Sequence, residues 1–165
     1  MKDFDKCSIK ILNTILAGQG GRLFSELRDK QSLAYVVTSF VWEGIDPGYI
    51  AFYIGCAPSK VEKAINGIKR EIQKITEEKV SSEELERARN YILGNFSIRH
   101  QTNEFWASDM AFNERYGLGY DYSKAYLDEI LQVSLEDVQR VAKRYLDLNK
   151  HTLVVVRPEE TYPVQ

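Results

Sequence analysis

Cysteine and histidine are the scarcest reactive residues of this sequence, with two of each among 165 residues. Cys7 and Cys56 cannot build a disulfide framework or a Cys-rich zinc site. They are expected as two free buried thiols, with a single bridge between them as the alternative. His100 and His151 stand far apart, and no His-x-x-x-His pair occurs, so the chain is not expected to carry a metal by itself. An excess of one charge is missing too. Lys and Arg number 22 against 24 Asp and Glu, a net charge of −2, which disfavours phosphate neutralisation and so nucleic-acid binding as the main role. No apolar run approaches the ~20 residues that a membrane-spanning helix needs. The opening MKDFDKC is charged rather than signal-like. What remains is an ordinary apolar share, 44% hydrophobic and 12% aromatic, enough for one packed core over residues 1–165.

The apolar spacing defines the elements. Ile9, Leu12, Ile15 and Leu16 recur at helical intervals, and Gly18 stops the run. Gly18, Gly20 and Gly21 then precede Arg22-Leu23-Phe24-Ser25-Glu26-Leu27-Arg28, whose Leu23/Leu27 spacing predicts a short second helix. The glycines read either as a tight inter-helix turn or as a flexible loop beside a bound substrate. As a phosphate cradle they are weak, because no Lys-Ser/Thr follows. From Leu33 to Trp42 the chain turns β-branched and aromatic; Glu43 to Gly48 supplies turn residues, and Tyr49 to Cys56 forms a second run. This is an antiparallel hairpin with Ile50, Phe52, Ile54 and Cys56 on one face. Val61, Ile65, Ile68, Ile72 and Ile75 stripe the next helix. Ser81 and Glu84 form a capping box for a further helix cored by Leu85, Ala88, Ile92 and Phe96. Phe105, Trp106, Met110 and Phe112 are expected as core of a third stretch ending near Gly117. A short helix then leads to a Ser134-capped helix with Val138, Val141 and Tyr145 inward. Finally Thr152, Leu153, Val154, Val155 and Val156 read as a strand covered on both faces. The fold class is α+β, an antiparallel sheet covered by helices. Three strands are few for so many helices, and the last one lacks neighbours. A further strand is therefore expected from outside the chain.

Few residues stand out for chemistry. Arg28 closes a short helix and Tyr35 starts a strand seven positions later, so a chain reversal could bring both heads to one surface. A guanidinium offers fixed donors to a carbonyl or carboxylate, and a phenol can donate to a developing oxyanion. Spacing alone favours the plainer reading, a solvated Arg and a half-buried Tyr. His100 with Glu104 looks like half a metal site but reads as a surface or capping pair. His151 reads as a turn residue, and Glu83, Glu84 and Glu86 are explained by the helix dipole. Tyr116, Tyr120, Tyr122 and Tyr126 form either an aromatic ridge or a packed corner.

Residues 20–35, GGRLFSELRDKQSLAY, resemble the second-half motif of the M16 metallopeptidases, the pitrilysin, insulinase and processing-peptidase family. The likeness continues through EGIDPGYIAFYIGCAPSKVEKAI, SSEELERARNYILGNF, YGLGYDY, VSLEDVQRVAKRYL and HTLVVVRP. It implies a half-domain of the LuxS/MPP-like metallohydrolase type. In such peptidases two α+β halves close around an extended peptide. One half carries an inverted zinc motif, His-x-x-Glu-His, and the other supplies an Arg–Tyr pair. By this resemblance Arg28 binds a substrate carbonyl, and Tyr35 binds peptide and stabilises the transition state. Gly18, Gly20 and Gly21 fall on the loop that lines the chamber.

The departures matter equally. No His-x-x-Glu-His occurs, so the resemblance implies that zinc belongs to a partner, an N-terminal half or a separate subunit, and that this chain alone is inactive. The family's opening strand is also missing. The chain is therefore expected to be the C-terminal, substrate-binding piece of a longer peptidase, able to self-associate through an exposed sheet edge. The alternative is a non-catalytic assembly domain of the same fold.

Overall fold

The computed structural model describes residues 3–18 and 20–158. Helix α1 (Lys6–Leu16) is the hub: Ile11, Leu12, Ile15 and Leu16 are almost wholly buried. It packs against α3, α5, α6 and the first strand. The hairpin is antiparallel, with β1 (Val36–Trp42) paired to β2 (Tyr49–Gly55) from Val36 opposite Gly55 to Trp42 opposite Tyr49. Ile50, Phe52 and Ile54 lie against the core, as their alternation predicts. The other face carries Phe40, Trp42, Tyr49 and Tyr53, all exposed.

A 3₁₀ turn (Pro58–Lys60) leads into α2 (Val61–Glu77), which buries Ile72 and Ile75 and rests Ile68 on the core. Helix α3 (Ser82–Arg99) starts on the Ser81/Glu84 capping box and buries Leu85, Ala88 and Ile92. Helices α4 (Asn103–Arg115), α5 (Tyr122–Gln132) and α6 (Leu135–Tyr145) follow. Ser134 and Asp137 form a second capping box on α6, whose Val138, Val141 and Ala142 complete the core.

Four expectations are corrected. Thr152 to Val156 is no strand: Leu153 is 54% and Val156 91% exposed, and among the described residues the sheet has two strands. A β run needs a neighbour's backbone groups, and among the described residues no strand pairs with this one. The short helix before β1 is a π-helical turn (Phe24–Asp29), although Leu23 and Leu27 are buried as their spacing requires. Met110 and Phe112 are exposed, because α4 packs chiefly on α5 and its one buried residue is Asn113. His100 caps the end of α3, as one reading had it, but it is neither on the surface nor paired with Glu104. Its side chain is buried between Phe96 and Trp106, with Nδ1 2.9 Å from the Phe96 carbonyl and Nε2 3.3 Å from Asp109. His151, by contrast, follows the turn at Leu148 and Asn149, its Nδ1 2.7 Å from the Leu148 carbonyl. Both cysteines are free; Cys7 is buried and Cys56 only half so. Burial, helped by a hydrogen bond to Glu129, pushes the Cys7 thiol up to about 12, so it is an inert packing group.

Two ionic ties bind the helices. Asp5, 1% exposed, accepts hydrogen bonds from Arg140, Arg144 and Tyr145 and so joins the start of α1 to α6. Arg22 grips Glu84 with two donors, Nε at 2.6 Å and Nη2 at 2.8 Å, which ties the segment before the π-helical turn to α3. Glu84 thus does more than complement a helix dipole.

This second tie sets an acid response. The hydrogen bonds from Arg22 outweigh burial and lower the Glu84 carboxyl from 4.5 to about 2. Its folded value lies below the unfolded one, so its stabilisation is complete above the ordinary glutamate range. It is lost as pH falls through about 2. Glu71, 4% exposed on α2, behaves oppositely: burial raises its carboxyl, so folding is disfavoured as pH rises through that raised value. Urea midpoints should show Glu84→Gln losing on the order of 2 kcal/mol at neutral pH. Glu71→Gln should gain stability there, and the two effects should converge in acid.

Candidate functional site

The site grows from the π-helical turn. The Lys30 amide donates to the Ser25 carbonyl five residues back, at 3.1 Å. This wider turn is anchored beneath by Leu27, which is fully buried and fits against α2 where Gly67 has no side chain. A Cβ on Gly67 would lie 2.7 Å from Leu27 Cδ2, so the glycine lets the turn seat closely. The chain then reverses through Ser32, whose φ of +48° is rare for a residue with a Cβ. Ser32 N–H donates to the Arg28 carbonyl and Leu33 N–H to the Leu27 carbonyl, each at 2.9 Å. Tyr35 N–H then pairs with the Gly55 carbonyl at 3.1 Å, which fixes its backbone to the end of β2.

The reversal brings Arg28 and Tyr35 to one surface. Arg28 Cζ lies 5.5 Å from the centre of the Tyr35 ring and 4.6 Å from that of Phe24. Two aromatic rings thus hold the guanidinium, a contact that stabilises a cation without using its N–H donors. Arg28 has no carboxylate partner among the described residues, and Glu26 on the same turn is bound to Lys30. Tyr35 is 83% exposed.

Both residues line an open groove of about 720 Å³. Ala34, Gly55 and Ala57 are among its small residues, and Tyr53, Cys56 and Lys60 also line it. Lys60 Nζ donates to the Ser32 carbonyl at 2.7 Å, so the strained residue also places this ammonium. Beyond the groove runs the open face of the hairpin, where Trp42 stacks on Tyr49 at 6.4 Å and Phe40 meets the same ring edge-on.

The glycines lie elsewhere. Gly18, at φ +83°, and Gly20 line a different cleft of about 640 Å³ between α1 and α3, with Lys10, Asn13, Tyr91 and Phe96. Gly21 is packing: a Cβ there would meet the Ala17 carbonyl oxygen at 2.2 Å. Four of the five candidate residues therefore occupy two depressions that share no lining residue, and Gly21 lines neither. Phe24, Tyr53 and Lys60 went unnoticed in the sequence. The i, i+4 spacing of Phe24 to Arg28 was the one available signal; Tyr53 and Lys60 reach the groove only through the hairpin and the turn after it.

Among the described residues, no group of three or more His, Cys, Asp or Glu is gathered to hold a metal ion. No helix there is long and apolar enough to cross a membrane.

The family described as Peptidase M16 inactive domain matches residues 1–92, more than half of the chain. The chain belongs to the M16 peptidase family. This M16 domain is 28% identical to an uncharacterized zinc protease of Streptomyces coelicolor over 162 residues, 94% of this chain and 34% of that protein. It is 23% identical to a Helicobacter pylori protein named a non-peptidase homolog, over 92% of this chain and 35% of that one. Among solved structures it is similar to the inactive peptidase domain of a protein described as a zinc protease from Bordetella parapertussis. The TM-score is 0.79 and the identity 27%, over 90% of this chain and 81% of that one. The α+β architecture of the M16 inactive domain is thus shared. The chain spans about a third of the length of the curated relatives it matches.

Proposed function

We propose that this M16 inactive domain is the substrate-binding half of a zinc endopeptidase that cleaves extended peptides, with the zinc carried by another half. The observation that carries this reading is the Arg28–Tyr35 pair. The guanidinium is held over the Tyr35 ring at 5.5 Å with no carboxylate partner among the described residues, beside an open groove. Zinc in the other half would supply an activated water. Arg28 would hold a substrate carbonyl through its free N–H edge. The exposed Tyr35 hydroxyl would donate to the oxygen of the scissile carbonyl as charge develops there. The hairpin's aromatic face would carry the flanking residues of the peptide. Gly18 and Gly20 would line the chamber wall beyond the pair.

A second reading, a non-catalytic assembly domain, is favoured by the Helicobacter pylori relative named a non-peptidase homolog. Reconstitution separates the two. The chain is combined with a zinc-bearing M16 half containing His-x-x-Glu-His, and hydrolysis of an extended peptide is followed. Cleavage that requires both polypeptides supports the substrate-binding half. Tight association with a rate unchanged by this chain supports assembly alone.

A further inference from the structure

We infer that the groove beside Arg28 and Tyr35 is selective for a carboxylate of the bound peptide, with Lys60 as its second cationic wall. This rests on the peptide-binding reading above and adds the chemistry of the ligand. Two cations, Arg28 and Lys60, line the groove, and no Asp or Glu does. That local excess runs against the chain's net charge of −2.

Among the described residues neither cation is paired with a carboxylate. There the Arg28 guanidinium lies over two rings, Phe24 and Tyr35, contacts that do not use its in-plane donors. This edge is the part that matches a carboxylate with two parallel hydrogen bonds. Lys60 gives one donor to the Ser32 carbonyl and has no carboxylate partner among the described residues, so further N–H groups remain. The Ser32 carbonyl belongs to the residue held at φ +48°, so the fold keeps an unfavourable backbone where the ammonium is fixed. A neutral peptide carbonyl would need one donor; a second cation in a groove that no acid lines suits a full negative charge. Ala34, Gly55 and Ala57 keep the groove open, and Tyr53 adds a phenol to its wall.

The ligand charge has two sources, the C-terminal carboxylate of a peptide or an acidic side chain within it. Titration calorimetry of the full chain distinguishes them with three peptides of one neutral sequence: a free C-terminus, an amidated C-terminus, and the amide with one internal Glu. A carboxylate-bearing peptide should bind about tenfold more tightly than the neutral amide. The tighter of the two charged forms names the source. The preference should collapse in Arg28→Gln and in Lys60→Gln and shrink with added salt. It should persist in Lys63→Gln, an exposed lysine one turn along α2 that does not line the groove. Equal binding of all three peptides overturns the carboxylate inference and leaves the peptide-binding reading standing. Binding of none overturns both. A preference that survives Lys60→Gln and Arg28→Gln alike also overturns it, because the charge would then be read elsewhere.

Discussion

Replacing Tyr35 with Phe is expected to slow the assembled two-half peptidase by about 10²–10³, the usual cost of removing one oxyanion donor. The change deletes one hydroxyl and keeps the ring. The ring is what faces Arg28, at 5.5 Å, so the guanidinium keeps its aromatic contacts to Tyr35 and to Phe24 at 4.6 Å. Tyr35 is 83% exposed, and no hydrogen bond from its hydroxyl occurs among the described residues, so folding should be indifferent. The effect should therefore fall on kcat with little change in KM. Zinc content, measured on the same samples, should stay constant. Arg28→Ala should raise KM as well, because it removes ground-state binding along with positioning. Unchanged turnover in Tyr35→Phe at full zinc content would take the phenol out of the reaction.

The largest stability effect should come from Asp5. Its carboxylate is 1% exposed and receives Arg140, Arg144 at 3.0 Å and Tyr145 at 2.9 Å. Burial alone would raise this carboxyl; the hydrogen bonds of Arg140 and Tyr145, with the charges of Arg140 and Arg144, hold it below its ordinary value. Asp5→Ala leaves two guanidinium groups without their shared acceptor and removes the ionic tie between α1 and α6, at a cost of about 1.5–3 kcal/mol, since both guanidiniums are largely solvated. Arg140 also retains Asp137, which limits the loss. Tyr145→Phe, which removes a single donor, should cost about 0.5–1.5 kcal/mol. Urea unfolding of both variants measures the difference. An Asp5→Ala midpoint within error of the parent would show that the cluster is solvated and contributes nothing.

How much of this was legible in the sequence depends on the range of the interaction. The hairpin was, because alternating Ile50, Phe52 and Ile54 fix the inward face and Asp46-Pro47-Gly48 marks the turn. The Ser81 capping box and the Ser134 cap were, because a cap's partners lie three residues away. The π-helical turn was not: Leu23 and Leu27 satisfy an α-helical spacing, and the wider turn follows from tertiary seating on α2 at Gly67. Strand character at Leu153 to Val156 was misread for a related reason, since β-branched residues favour a strand only where another strand accepts them. Met110 and Phe112 were misplaced because apolar residues on a helix say that a face is apolar, not that anything covers it. Arg28 and Tyr35 were named through the family resemblance, whereas Lys60 and Phe24, which complete their surroundings, became visible only with the turn folded.

The most direct check on the substrate-binding role is to add an extended peptide to the isotope-labelled chain and follow its backbone amide resonances. Perturbations centred on Arg28, on Ser32 to Val36 and on Tyr53 to Lys60 are the predicted result. A peptide that binds while leaving those amides unmoved, or that shifts only the α1–α3 cleft, would contradict it.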